Sequence, residues 1–251
     1  MTPMTYHPFH IIGADRPSRW LITCDHATNH IPSEISGGDL GLSPSDMQRH
    51  IAYDIGAKGV SLKLGALLNA PVICSNFSRL VIDPNRGEED PTLIMRLYDG
   101  TIIPANRHID HAEEERRRIT YHRPYHDALE QLAARRDDVI VIAMHSFAPK
   151  LNGRAPRPWQ IGILHADHDP RSFGIPLIQR LETETDLTIG DNEPYTGHLP
   201  GDAMDHHALR PNRLNALIEL RQDLISDEAG QTHWANRLAP ALLDTLATTG
   251  F

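Results

Sequence analysis

The stretch Asp138-Val139-Ile140-Val141-Ile142-Ala143-Met144 runs into His145-Ser146-Phe147, and its reading decides the fold. Its unbroken apolar run, from Val139 to Met144, leaves neither face of a strand for water. A strand of this kind is covered on both sides, as in a mostly parallel sheet between two layers of helices. In such sheets ligands bind beyond the carboxyl ends of the strands. His145 stands at that end and is expected to face a cleft rather than bulk solvent.

The flanking sequence repeats the pattern. Residues 19–24 (RWLITC) read as a buried strand that stops at Asp25-His26. Residues 71–74, 160–164 and 187–189 are short strands, 79–83 a further candidate, and 215–220 a late strand holding Glu219 within LNALIEL. Helices are expected over 45–68, 110–136, 171–184 and 228–247. Ser43 suits the first of these as N-cap and Pro44 suits its first helical position. Pro124 should break or kink the second. Residues 84–107, rich in Pro, Asn, Gly and charge with two candidate short strands, read as a long functional loop. Strands alternate with helices, without internal repeat or linker. The expectation is one α/β domain over 1–251, a three-layer sandwich with a mostly parallel mixed sheet.

The 251 residues, 40% hydrophobic, suffice for one sizeable core. Aromatics are only 6%, so that core relies on Leu, Ile, Val and Ala. With 33 acidic against 24 basic residues the net charge is -9, and there is no basic tract, which argues against nucleic acid as a partner. A local arginine cluster can still receive a small anionic substrate. Cys24 and Cys74 sit in apolar runs and read as buried thiols. No basic segment followed by an apolar one opens the chain, and no apolar stretch approaches the roughly 20 residues that cross a bilayer. A cytoplasmic location without a membrane partner is expected, and the oligomeric state is open.

Sixteen histidines is an unusual number. His26 and His145 each follow an apolar strand. Neutral imidazoles are common zinc ligands, and a catalytic zinc takes about three protein ligands while keeping an open position. The alternative for each is a hydrogen-bonded strand-end histidine without metal. The other histidines read as structural. His30 caps the first loop, and His165-Ala166-Asp167-His168-Asp169 and Asp205-His206-His207 form turns. His122 and His126 are four apart on a helix, a spacing that can chelate metal, but the helix is polar all round and should turn them to solvent. Arg210 and Arg213 are candidates for the cleft or the surface. There is no GxSxG elbow, no glycine-rich phosphate loop and no CxxC pair. Cys24, in a buried strand, is a poor nucleophile without an electropositive pocket.

Four segments then stand out together. They are Cys24-Asp25-His26-Ala27-Thr28-Asn29-His30-Ile31-Pro32, Ser78-Arg79-Leu80-Val81-Ile82-Asp83-Pro84-Asn85-Arg86, Met144-His145-Ser146-Phe147, and Ile218-Glu219-Leu220-Arg221-Gln222-Asp223-Leu224. In residues, order and spacing they resemble the motifs of the N-formylglutamate amidohydrolase family, over roughly residues 18 to 245. The resemblance implies a fold similar to zinc carboxypeptidases and aspartoacylase-like deacylases, with one zinc per chain. It implies His26 and His145 as metal ligands and Glu219 as general base. Asn85 and Arg86 would clamp a substrate carboxylate, with Arg79 and Arg221 as further substrate contacts. In the wider pattern a glutamate stands three positions after the first histidine; here that residue is Asn29. An amide oxygen is a weak, neutral ligand, so the third ligand is Asn29 or a nearby carboxylate, Asp25 or Asp54. The implied reaction is hydrolysis of a small anionic N-acyl amino acid, N-formyl-L-glutamate, to L-glutamate and formate, within histidine breakdown. Two other readings stand beside it: a related peptidase or deacylase of different acyl specificity, and a binding protein that keeps the fold without turnover. A glutamate inside LNALIEL is costly to bury without a partner, and a mere binder needs no buried base.

Overall fold

The computed structural model describes residues 6–166, 169, 171–197 and 199–251. Nine strands follow in chain order: β1 (Phe9–Ile12), β2 (Trp20–Cys24), β3 (Val72–Ser75), β4 (Leu97–Tyr98), β5 (Thr101–Ile102), β6 (Ile140–Phe147), β7 (Ile161–Leu164), β8 (Ile189–Asp191) and β9 (Leu214–Arg221). Seven form one sheet in the order β1-β3-β2-β6-β9-β7-β8, while β4 and β5 pair as a hairpin. The pairings β3-β2, β2-β6, β6-β9 and β7-β8 are parallel; β1-β3 and β7-β9 are antiparallel. The five longer helices are α1 (Ala57–Leu67), α2 (His111–Arg117), α3 (Arg123–Ala133), α4 (Gly174–Leu181) and α5 (Glu228–Thr249).

The alternation of side chains along each strand sorts the core into two layers. Ile22 and Cys24 of β2, Ile142 and Met144 of β6, and Ala216 and Ile218 of β9 meet Val60, Leu64, Leu177, Trp234 and Leu238 of α1, α4 and α5. Leu21, Val141, Ala143 and Leu217 point the other way, onto Tyr125, Leu129 and Leu132 of α3. The expected mainly parallel sheet, covered on both faces, is present. A third cluster lies apart from it. Phe77, Leu80, Val81, Ile82, Ile103 and Tyr121 pack beneath the segment 84–107 and give it a core of its own.

Several local expectations are corrected. The helix expected over 45–68 starts only at Ala57. Gly56 has φ +80°, a left-handed value suited to glycine and incompatible with a continuing helix. The chain before it forms a short 3-10 turn at Asp46–Gln48. It then brings Asp54 under the strand ends, where the Asp54 N–H donates to the His26 carbonyl at 2.9 Å. Residues 79–83 make no strand. Val81 N–H donates to Ser78 and Asp83 N–H to Leu93, so the apolar run is buried by turns on the third cluster. The edge strand β1 leaves no clear trace in the sequence, because its side chains are only partly buried. Near Pro124, which stands in the first turn of α3, the expected interruption of the helix is present. Arg118–His122 widen into a π turn, in which Arg123 N–H reaches the Arg118 carbonyl. Proline needs room at the carbonyl four residues back, and the widened turn supplies it.

Among the described residues no helix is long and apolar enough to cross a membrane. Cys24 and Cys74 are free thiols, both fully buried.

One close approach ties the sheet to the loop above it. Gly162 of β7 stands opposite Glu219, and a Cβ there would lie 2.1 Å from the Glu193 carbonyl oxygen. Gly162→Ala should therefore lower stability by about 1–3 kcal/mol, the usual cost of overpacking. The shift in urea midpoint measures this; an unchanged midpoint would show that the 192–197 loop yields freely.

Candidate active site

Three neighbouring parallel strands deliver the central side chains. Thr23 of β2 pairs with Ala143 of β6, and His145 pairs with Glu219 of β9. His26, two residues past the end of β2, thus emerges at the same edge as His145 and Glu219. Both imidazoles turn Nδ1 toward one carboxylate oxygen, Asp54 Oδ2, at 3.2 Å from His26 and 2.8 Å from His145. Donor atoms of His26, Asp54 and His145 lie within 4.8 Å of one another, and all three residues are buried.

Behind each histidine stands another carboxylate. His26 Nε2 is 2.7 Å from Asp83 Oδ1, and His145 Nε2 is 3.5 Å from Asp25 Oδ2. Asp83 is gripped by Arg79, whose Nε and Nη2 donate to Oδ2 at 3.1 and 2.6 Å; Nη1 lies 3.6 Å from Asp54 Oδ1. The Tyr125 hydroxyl donates to Asp25. A carboxylate can only accept, so with Asp83 at Nε2 and Asp54 at Nδ1 a neutral His26 sets one lone pair against a carboxylate oxygen, a repulsion that a cation between them would relieve.

Burial alone would push the three aspartates toward their neutral forms. It is outweighed at Asp25 by His145, at Asp54 by His26 and His145, and at Asp83 by Arg79 and then His26, and all three are held below the usual carboxylate range. Burial also opposes charge on His145, but its contacts with Asp25 and Asp54 prevail and raise its pKa well above the ordinary value. Three ionised aspartates against one guanidinium leave two negative charges (three minus one), which a proton on His145 only partly offsets. A divalent cation between His26, Asp54 and His145 would neutralise this buried set. The donor types and their convergence fit such an ion.

Glu219 is the exception among the buried carboxyls. It is 6% exposed, and its Oε2 has no hydrogen-bond partner. Burial, reinforced by Asp54 against the opposing pull of His145, raises its pKa to about 7. It lines a cleft of about 530 Å³ together with His26, Asp54, His145, Arg79, Asn85 and Arg86.

The remaining expected site residues disperse. Asn29 donates its amide to the Met47 carbonyl at 2.7 Å, and Asp54 stands between the histidines instead. Arg221 donates to Asp223 at 2.8 Å and is not among the described residues lining the cleft. Arg86 lines the cleft while donating to Thr92 Oγ1 and the Asn85 carbonyl. Asp83 belongs to His26 and Arg79. His30 stacks beside Tyr6, and His165 pairs with Asp191 at 2.8 Å; Asp167 and His168 lie outside the described residues. Cys24 is no nucleophile: its hydrogen bond with Cys74 and its burial raise the thiol pKa well above normal. The expected exposure of His122 and His126 fails. His122 is 4% exposed, and both line a second cavity of about 990 Å³ with His206, His207 and Arg210. Arg213 binds Glu130. His50, Tyr98 and Tyr195 line the cleft without having been singled out; lone polar residues in loops carry no periodic signal.

A search of the curated proteins returns no match. Among solved structures, a gene product of Agrobacterium tumefaciens is similar at 32% identity and TM-score 0.91, covering 100% of this chain and 99% of its own. The N-formylglutamate amidohydrolase of Ralstonia eutropha JMP134 shares the fold at 20% identity and TM-score 0.74, over 95% of this chain and 97% of its own. The profile of the N-formylglutamate amidohydrolases matches residues 18–226. That span holds His26, Asp54, Asp83, His145 and Glu219, and the chain belongs to the N-formylglutamate amidohydrolase family.

Proposed function

We propose that the chain hydrolyses the amide of a small N-acyl amino acid, N-formyl-L-glutamate, to L-glutamate and formate, with one zinc ion held by His26, Asp54 and His145. The observation that carries this reading is Glu219, a buried, unpartnered carboxyl beside the two histidines whose pKa is pushed to about 7. When bound, zinc supplies a Lewis acid that polarises the amide carbonyl and acidifies a water.

Glu219 takes the proton of the attacking water and returns it to the leaving amine. A pKa near neutrality serves both halves of that exchange. Asp83 and Asp25, behind the histidines, fix the orientation of the rings, as carboxylates behind metal-ligating histidines do. Arg79 is committed to Asp83 and keeps it ionised, so its part is positioning. Asn85 and Arg86, on the cleft wall, are left to meet a substrate carboxylate. A guanidinium grips such a group with paired hydrogen bonds.

Elemental analysis together with formate release from N-formyl-L-glutamate tests the whole reading. Zinc bound at His26, Asp54 and His145 with no formate released would overturn the substrate assignment. Glu219→Gln should lower kcat by roughly 10²–10⁴-fold with zinc content unchanged; undiminished turnover removes Glu219 from the reaction. Because the base acts only when ionised, kcat/KM of the zinc-loaded protein should fall as pH drops below about 7, and this limb should vanish from whatever activity E219Q retains. Asp83→Asn should weaken zinc binding by about 10–100-fold, read as the dissociation constant in a competition titration; an unchanged constant would mean that Asp83 does not orient His26.

A further inference from the structure

The segment 85–90 contributes to two cavities. Asn85 and Arg86 face the cleft, while Gly87 to Asp90 line the second cavity of about 990 Å³. Four histidines stand in the wall of that second cavity, and hydrogen bonds place the proton on three of them, His122, His126 and His207.

The starting point is Glu130. Arg213 donates to it from Nη1 and Nη2 at 2.9 and 2.7 Å and holds its pKa at about 2, so Glu130 is a carboxylate and only accepts. His207 Nδ1, 3.0 Å from Glu130 Oε2, therefore carries the proton. Burial lowers the pKa of His207, and its Nε2 is left bare. That nitrogen is 2.8 Å from His126 Nδ1, which must be the donor. The bare nitrogen of His126 is then Nε2. It is buried and has no hydrogen-bond partner.

His122 reaches the same condition by another route. Its Nε2 lies 2.9 Å from the Arg86 carbonyl, which only accepts. The proton is on Nε2, and Nδ1 is bare, buried and unpartnered. Burial lowers the pKa of both His122 and His126, keeping the lone pairs available. The two rings are 4.3 Å apart between centroids and four residues apart on the helix.

A histidine whose far nitrogen is tied to a carbonyl, as in His122, or through a second imidazole to a carboxylate, as in His126, with its near lone pair unused, is oriented much as a metal ligand is oriented. Two of them at i and i+4 have the spacing of a helical chelate. His206 is exposed on the facing turn Asp205–Leu209, its ring 6.0 Å from that of His126. We propose that this cavity is a second metal site, taking a divalent transition ion of the zinc, nickel and copper class on His122 Nδ1 and His126 Nε2; the donor atoms of His122, His126 and His206 do not converge as those of His26, Asp54 and His145 do, so the exposed His206 would turn inward to serve as third donor.

Zinc titration of the metal-free full-length protein tests this, followed by calorimetry. The unaltered chain should bind two equivalents. The double variant H122A/H126A should bind one fewer, and so should H26A/H145A, each removing a different equivalent. Loss of binding only in H26A/H145A would sink the second site and leave the active-site reading intact. Since a buried double substitution can disturb folding, imidazole nitrogen NMR on the unsubstituted protein provides a second readout. The second zinc equivalent should shift His122 Nδ1 and His126 Nε2 and leave their Nε2 and Nδ1 protons in place. If those signals stay unmoved through two equivalents, the proposal is wrong.

Discussion

Negative charge out of water is the constraint around which this molecule is arranged. Asp25, Asp54, Asp83 and Glu219 are all buried at the carboxyl edge of one sheet. An ionised carboxylate removed from water without a partner is prohibitively costly, and such a group gives up its charge instead. Each of the three aspartates has its own remedy. Asp83 takes a two-pronged grip from Arg79, Asp25 a phenol and an imidazole, and Asp54 both histidines at once. Glu219 has no such remedy, and so it alone titrates near neutrality. The same physics that makes the aspartates reliable anions makes the glutamate a proton carrier.

This constraint also accounts for the third apolar cluster. Arg79 and Asp83 belong to a segment with no place in the sheet, yet Asp83 stands 2.7 Å from His26 Nε2 and Arg79 holds it there. Leu80, Val81 and Ile82, between them, sink into a core built with Phe77, Ile103 and Tyr121. Asn106 Nδ2 binds the Leu80 carbonyl, and the buried Arg117 binds the Val81 carbonyl. A loop that must aim charges precisely has been given the packing of a small domain.

How much of this is legible in the sequence depends on what holds each residue. The strand at 139–147 is legible because a continuous apolar run of that length must be covered on both faces, and His145 comes with it. His26 and Glu219 are legible for the same reason. Asp54 is not singled out in this way and stands level with Asp25 as a candidate third ligand. Its place rests on a left-handed glycine two residues later and on a backbone hydrogen bond to His26, neither of which leaves a periodic trace. Arg79 reads as a substrate contact through the resemblance, which carries its place near Asn85 and Arg86 but not the direction of its guanidinium, and that group is spent on Asp83. The histidines at 122 and 126 read as exposed because their helix reads as polar all round; in the structure that helix buries Tyr125, Leu129 and Leu132, with His122 tied to the Arg86 carbonyl and His126 stacked on His207, some eighty residues away in the chain.

The π turn at Arg118–His122 has a wider consequence. One additional residue in a turn shifts the phase of every side chain that follows it. Tyr121 before the resumption of α3 belongs to the core beneath the loop, and Tyr125 after it belongs to the core beneath the sheet. A single rod of backbone thereby serves two hydrophobic interiors that an uninterrupted helix, with one apolar stripe, could not face together. It works as a spline between them: the scaffold that carries the strand ends and the loop that carries Arg79 and Asp83 are keyed to the same shaft, so neither can rotate against the other without unwinding that one irregular turn.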